Sequence, residues 1–342
     1  MTQFRNLVFK GGGVKGVAYI GALEALEQYG VIPDIRRVCG TSSGALVAAH
    51  IALGGRAEQL GRLLDSGFLR GLLDKTFWPG QPLPHLLTDY GWFQGKRLSL
   101  WLKRHMESLS GDPGITFGQL EGLAGRSGAA CKHLAVIATN VTLQCAHIFS
   151  ASTTPELPIW KALQASMSIP FLFSVARLDG EGPYVDGGLT WNYPLNFYDE
   201  ARWLSQEDDA RLFALVDHPS SRNASRFYNK ETLGLMVETR TRDAGVAPDD
   251  SGFRRGIESF PAYIKAMIGL MTDSSSGNFL NLSDWQRTVF IEADGVRATD
   301  FNLPQESIAS LQESGRRSVH AYMQWFLDQS NRPLNRVEES TA

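Results

Sequence analysis

The chain has 342 residues, 43% of them hydrophobic, and a formal net charge of −3. That size allows one large α/β domain or two ordinary ones, and the charge balance excludes an extended nucleic-acid surface. Cys39, Cys131 and Cys145 lack metal-ligand spacing and read as reduced thiols of a cytosolic protein, and no run of about 18 apolar residues is present to span a membrane.

Asn6 to Phe9 reads as a buried strand, followed by the glycine loop Gly11-Gly12-Gly13-Val14-Lys15-Gly16. Apolar residues at 20, 23 and 26 then predict a helix. Successive backbone N–H groups at a helix start favour an anion. The loop also fits a dinucleotide fingerprint, but the acid that fingerprint needs at the end of the second strand is missing: Gly40-Thr41-Ser42 stands there. A plain tight turn and an oxyanion hole are the other readings of the loop.

Gly40-Thr41-Ser42-Ser43-Gly44 follows a short apolar run and precedes an alanine-rich one. A strand, a tight turn and a helix would lift the Ser42 hydroxyl above a sheet in a strained backbone.

Residues 54–130 change character and predict a cap, with Phe77 to Pro84 as a loop and Tyr90, Trp92, Phe93 and Trp101 close by. These aromatics suit either a greasy cover and lipid-facing surface or the core of a small subdomain. Leu134 to Thr139 and Ala146 to Phe149 predict strands, Trp160 to Met167 a short helix, and Phe171 to Phe173 an extended path.

Tyr184-Val185-Asp186-Gly187-Gly188 places an acid before two glycines, a combination unique to Asp186 in this chain. Arg211 to Asp217 reads as a buried strand, 223–271 as mainly helical, and Arg287 to Glu292 as the last strand. Gln305 to Leu327 predicts a helix open to a break at Gly315, and 329–342 a frayed polar tail. The apolar segment 260–271 is too short to span a bilayer and reads as core or an interfacial patch.

A serine nucleophile needs a base. His218, after a strand, could complete a triad, whereas His320 sits among charges on a helix. The glycine loop lies on the first strand, one βαβ unit before Ser42, which suits a Ser-Asp pair better.

Gly11 to Gly16, Gly40 to Gly44 and Asp186 to Gly188, in this order and spacing, resemble the three motifs of the patatin-like phospholipase family, with support from Ala165 to Pro170 and from Asn192 and Pro194. The resemblance covers residues 5–220 well and the rest loosely. It implies a three-layer α/β/α sandwich around a mostly parallel sheet, of the cytosolic phospholipase catalytic-domain type. The expected organisation is one catalytic domain over 1–330. Its core would be 5–53 and 131–220, its cap 54–130 and its helical part 221–328.

The resemblance further implies Ser42 as nucleophile, Asp186 as proton acceptor and the amides of Gly11, Gly12, Gly13 and Val14 as oxyanion hole, supported by Gly16, Gly40, Gly44, Gly187 and Gly188. It implies no metal and no cofactor. A single carboxylate is a weak base in water, so Asp186 is expected to be partly desolvated. The expected substrate is a phospholipid or lysophospholipid, met through transient peripheral membrane contact. The same pair could serve an acyltransferase or thioesterase, or the pocket could sense lipid. A cytoplasmic, near-minimal catalytic unit is expected. Export by a non-Sec route and a host or protein activator, as in the family's secreted toxins, are compatible with it.

Overall fold

The computed structural model describes residues 2–64, 71, 90–126, 128, 130–178, 182–204, 210–217, 225–239, 267, 280–293 and 295–337. The first half of the chain alternates strand and helix: β1 (Asn6–Phe9), α1 (Ala18–Gln28), β2 (Arg37–Thr41), α2 (Ser43–Ala52) and α3 (Ala57–Leu63). Next come β3 (Gly91–Phe93), α4 (Lys96–Ser110), α5 (Phe117–Ala124), β4 (His133–Asn140), β5 (Cys145–Ser150) and α6 (Ile159–Ser166). The chain continues through β6 (Phe171–Phe173), β7 (Ala176–Arg177), β8 (Pro183–Asp186), β9 (Phe213–Asp217), β10 (Ser225–Asn229) and β11 (Thr232–Glu238). It finishes with α7 (Leu282–Gln286), β12 (Thr288–Glu292) and α8 (Gln305–Leu327).

The main sheet runs β12-β11-β1-β2-β4-β8-β7, with β5 also on β4. Its five strands from β12 to β4 are parallel, while β5 and β8 are antiparallel to β4. Alternation along each strand sorts the core. Leu7, Phe9, Val38 and Val136 pack with α1, α2 and α8, whereas Val8, Cys39, Ala135 and Ile137 face the other way. That second face is covered by short helical turns at Leu195–Tyr198 and Ala201–Trp203 and by α7, whose Trp285 packs at a tilt on Phe290. Helices therefore flank a mixed, mostly parallel sheet on both sides, as the resemblance implied.

One detail of topology positions everything that follows. A strand has two edges, and β5 occupies one edge of β4 over 135–140. Both β2 and β8 must then use the other. β2 runs along it until Thr41 pairs with Ile137, and β8 comes from the opposite direction until Asp186 pairs with Ala138. The two strands meet end to end, and Ser42 and Asp186 are the residues at the junction.

Several expectations are corrected. Residues 225–229 and 232–238 are strands, not helix, and β11 lies inside the main sheet between β1 and β12. β11 is buried almost throughout, so it carries no polar-apolar alternation, and its leucines and methionine suit a helix equally well. Among the described residues β9 pairs only with β10, away from the main sheet, and Leu215 on it is 68% exposed rather than core. The final helix is unbroken. Gly315 lets it pack so tightly on α1 that a Cβ there would sit 2.0 Å from the Ala18 carbonyl oxygen. The tail is not frayed over 329–337. Asn335 is fully buried and donates to the Tyr322 hydroxyl at 2.9 Å, and the Val337 amide donates to Gln3 Oε1 at 2.9 Å.

In the cap, Trp101 stacks on His105 inside the domain, the subdomain-core reading, while Tyr90 is exposed. The loop 77–84, the side chain of Trp92, His218, the segment 260–271 apart from Met267, and 338–342 lie outside the described residues. Among the described residues no helix is long and apolar enough to cross a membrane.

Candidate active site

β2 ends at Thr41, α2 begins at Ser43, and Ser42 makes the turn with φ 54° and ψ −126°. A non-glycine residue in that region stores on the order of 1–3 kcal/mol of strain, which the surroundings must hold in place. They do so through the backbone. The Ser42 amide donates to Ser166 Oγ at 2.8 Å, and that hydroxyl donates to the Ile137 carbonyl at 2.5 Å. A buried serine on α6 thus ties the elbow to β4.

The Ser42 hydroxyl donates to Asp186 Oδ2 at 2.6 Å. The other carboxylate oxygen accepts the Gly188 amide at 2.7 Å, and the Asp186 backbone is fixed by Thr139 Oγ1 and by the Ser168 carbonyl. Both side chains are nearly closed off, Ser42 at 6% and Asp186 at 5% exposure. Burial pushes the Asp186 carboxyl up to about 6, against the opposing pull of its bonds from Ser42 and Gly188. The expected desolvation is therefore present.

Among the described residues no histidine bonds to Ser42; His320 faces Tyr29 on the α1–α8 side. The N-terminus of α2 points its positive end at the Ser42 turn.

Parallel pairing of β1 with β2 brings the glycine loop alongside this turn, and a Cβ on Gly11 would lie 3.2 Å from Ser42 Cβ. The four expected oxyanion donors are not equivalent. The Gly11 amide is given to the Asn192 carbonyl at 3.0 Å and the Val14 amide to the Ala298 carbonyl at 3.0 Å. An N–H held by a protein carbonyl is not free for a substrate oxygen, so the expectation is corrected for Gly11 and Val14. The Gly12 amide rests on the Ser43 hydroxyl at 3.1 Å, and for Gly13 no acceptor is found among the described residues. Gly13 has φ 55°, and a Cβ on it would strike the Ala298 carbonyl 2.2 Å away. The remaining motif glycines mark close crossings. A Cβ on Gly16 would meet Ser43, one on Gly40 the Gly44 backbone, one on Gly44 the Phe9 and Lys10 carbonyls, one on Gly187 the Ile137 carbonyl and one on Gly188 the Asp186 carboxylate.

Ser42 opens into a cleft of about 590 Å³, mouth included. Its wall is almost wholly apolar: Val17, Leu46, Val47, Leu64, Leu98, Met167, Ile169, Phe173 and Phe301, with Gly13 and Ser43 beside Ser42. Leu64 and Leu98 come from the 54–130 segment and Phe301 from the C-terminal third, so three parts of the chain build one apolar cleft. Sequence reasoning missed Ser166, Ser43 and Phe301. The second serine of Thr41-Ser42-Ser43 and the Ala165 to Pro170 segment, which contains Ser166, were the available signals.

Comparison with known proteins bears on the family and the fold. YqhO, an uncharacterized protein of Bacillus subtilis, is 27% identical over 93% of this chain and 98% of its own length. The triacylglycerol lipase ptl3 of Schizosaccharomyces pombe is 31% identical, over 50% of this chain and 34% of the lipase. Among solved structures, VipD of Legionella pneumophila aligns with a TM-score of 0.58 at 20% identity, covering 94% of this chain and 67% of VipD, a likeness of fold. The sequence profile described as Patatin-like phospholipase matches residues 7–197, more than half of the chain, and the chain belongs to that family.

Proposed function

We propose that the chain is a serine acyl hydrolase that cleaves fatty-acyl esters of phospholipids or lysophospholipids, working as one catalytic domain. The observation that carries this reading is the 2.6 Å bond from a strained, buried serine to a carboxylate with a raised pKa at the mouth of an apolar cleft. Membership of the family and the likeness to a triacylglycerol lipase support lipid ester hydrolysis as the general activity.

In the proposed mechanism the acyl chain lies along Leu46, Leu98 and Phe173 with its ester carbon at Ser42 Oγ. Asp186 takes the hydroxyl proton as Oγ bonds the carbonyl carbon, and the carbonyl electron pair moves onto oxygen. That oxygen is met by the Gly13 amide and by the Gly12 amide, which leaves the Ser43 hydroxyl. Collapse expels the alcohol, which receives the proton from Asp186 and leaves the acyl group on Ser42. Water then gives a proton to Asp186 and attacks the acyl carbon, and as the bond to Ser42 Oγ breaks Asp186 returns that proton to the serine and the fatty acid is freed. A pKa near 6 suits this double duty, since the group is ionised at neutral pH yet still a competent base.

The test is labelling with a fluorophosphonate probe beside Ser42→Ala and Asp186→Asn, together with fatty-acid release from mixed phospholipid vesicles in chelator. Expected are labelling at Ser42, chelator-resistant release, and loss of both in the two variants. Labelling without release would redirect the reading to acyl transfer or an absent activator; no labelling would overturn it. Co-sedimentation with the same vesicles checks the proposed peripheral contact.

A further inference from the structure

The sheet has a second functional-looking end. Three adjacent parallel strands, β1, β2 and β4, are each entered through a cation in the position just before the strand: Arg5, Arg36 and Lys132. Their backbones are laced together, the Arg36 amide donating to the Arg5 carbonyl at 2.8 Å and the His133 amide to the Arg36 carbonyl at 2.9 Å. With strands spaced about 4.8 Å apart, the three cations fall in one row along the sheet edge. Arg126, after α5, joins them around an open cleft of about 1170 Å³, mouth included.

The charges in this cleft are not balanced. Asp34 is the one carboxylate in its lining, and it is engaged by Arg5 at 3.7 Å. His133 is paired with Glu121 at 2.7 Å. Arg36, Arg126 and Lys132 have no side-chain hydrogen bond or ion pair among the described residues. Lys132 is the telling one, because it lines the cleft while only 7% exposed. Packing away most of a lysine with no carboxylate on its ammonium is costly, and lysine is seldom so enclosed unless paired. Burial lowers its pKa against the weaker pull of Cys131 and Asp34, so its charge is under-compensated as the chain stands.

We propose that this cleft is a binding site for a phosphate group, with Lys132 at its floor and Arg36 and Arg126 at its rim. A dianion there would supply the missing counter-charge to Lys132 and accept the forked N–H groups of the two arginines. The site is distinct from the ester-cleaving one. β2 carries Arg37 at one end and Thr41, next to Ser42, at the other, which puts about 17 Å of strand between the two clefts. If the mouth beside Ser42 faces a bilayer, this cleft faces away from it, which favours a soluble phosphate over a lipid headgroup.

Calorimetric titration of the full chain with inorganic phosphate tests the proposal, and flotation of the Ser42→Ala chain on vesicles separates the sources. One set of vesicles is phosphatidylcholine alone and the other contains phosphatidylglycerol. The expected result is a phosphate isotherm that weakens by about tenfold or more in Lys132→Met and in the surface variant Arg36→Gln/Arg126→Gln. Hydrolysis of a soluble ester should stay at the wild-type rate in both. Flotation specific to phosphatidylglycerol and lost in both variants would assign the same site to a headgroup. Absence of an isotherm together with flotation that both variants retain would overturn the proposal, as would a phosphate affinity equal in all three proteins. Neither failure bears on Ser42 and Asp186.

Discussion

Two regions of this molecule bury aspartates, and they solve the problem in opposite ways. Asp186 receives the Ser42 hydroxyl and the Gly188 amide, two neutral donors. Asp199 and Asp284 lie on the other face of the sheet, clamped by cations. Arg287, fully buried, bonds Asp199 at 2.6 Å and 2.7 Å and Asp284 at 2.8 Å, and Arg226 bonds both as well. Asp199 also takes the Asn229 amide, and Arg287 lies over the Tyr228 ring. A carboxylate clamped between two guanidiniums braces the fold, whereas one held by neutral donors in a dry site is placed to accept a proton. The contrast separates a strut from a base without reference to any motif.

The comparison breaks most visibly on activity. Asp186→Asn should lower fatty-acid release by about 10³-fold or more, with the far-ultraviolet circular dichroism unchanged. Arg287→Met should do the reverse. It leaves two buried carboxylates with Arg226 as their one cation among the described residues and should cost about 3–5 kcal/mol of stability in urea unfolding. The fraction that stays folded should still turn over at a rate near wild type. Equal losses of activity per folded molecule would erase the distinction between the two sites.

A sharper version concerns sign. The folded-state pKa of Asp186 is raised from 3.8 to about 6, so the fold prefers its protonated form. Its contribution to stability is most favourable below about pH 4 and is lost as pH rises through 6. Two pKa units correspond to about 3 kcal/mol, an upper bound on what the ionised group costs at pH 8. Asp186→Asn carries no charge and keeps the acceptor for Gly188. It should therefore be more stable than wild type by about 1–3 kcal/mol at pH 8 and close to it at pH 4. A gain of the same size at both pH values would mean better packing rather than relief of a buried charge. The most damaging substitution for turnover would then also be a stabilising one, as expected where function is built on strain.

The uneven legibility of the chain follows the same divide. Ser42, Asp186 and the glycine loop were readable because their geometry is local: a strained turn needs small neighbours on either side of it in sequence. The alternating strands and helices from 6 to 52 were readable because periodicity is local too. The arginine clamp was invisible, since Asp199, Arg226 and the Asp284–Arg287 pair come from three separate segments, and the spacing of that one pair says nothing of the other two residues. β11 was mistaken for helix because burial on both faces removes alternation, and the 329–337 tail was judged loose because its anchors, Tyr322 and Gln3, lie in other elements. The glycine loop was expected to offer four free amides, but the acceptors Asn192 and Ala298 that occupy two of them are set by tertiary contact and leave no mark in the sequence.

Ser166 supplies the smallest and most discriminating effect. Its hydroxyl sits between the Ser42 amide and the Ile137 carbonyl, a neutral brace where the other region uses charge. Ser166→Ala takes the hydroxyl partner from one buried donor and one buried acceptor, which costs about 1–3 kcal/mol for each group that finds no other partner. Some of that should appear as lost stability. The rest should appear as a looser elbow, because nothing else among the described residues bonds the Ser42 amide. The expected result is a several-fold drop in the rate of fluorophosphonate labelling with the acidic limb of its pH profile unmoved, because the carboxylate and its two donors are untouched. A limb displaced along with the rate would show that the brace acts on Asp186 as well as on the serine. The two sides of the dyad would then be one mechanical unit, set at the point where β2 and β8 meet on β4.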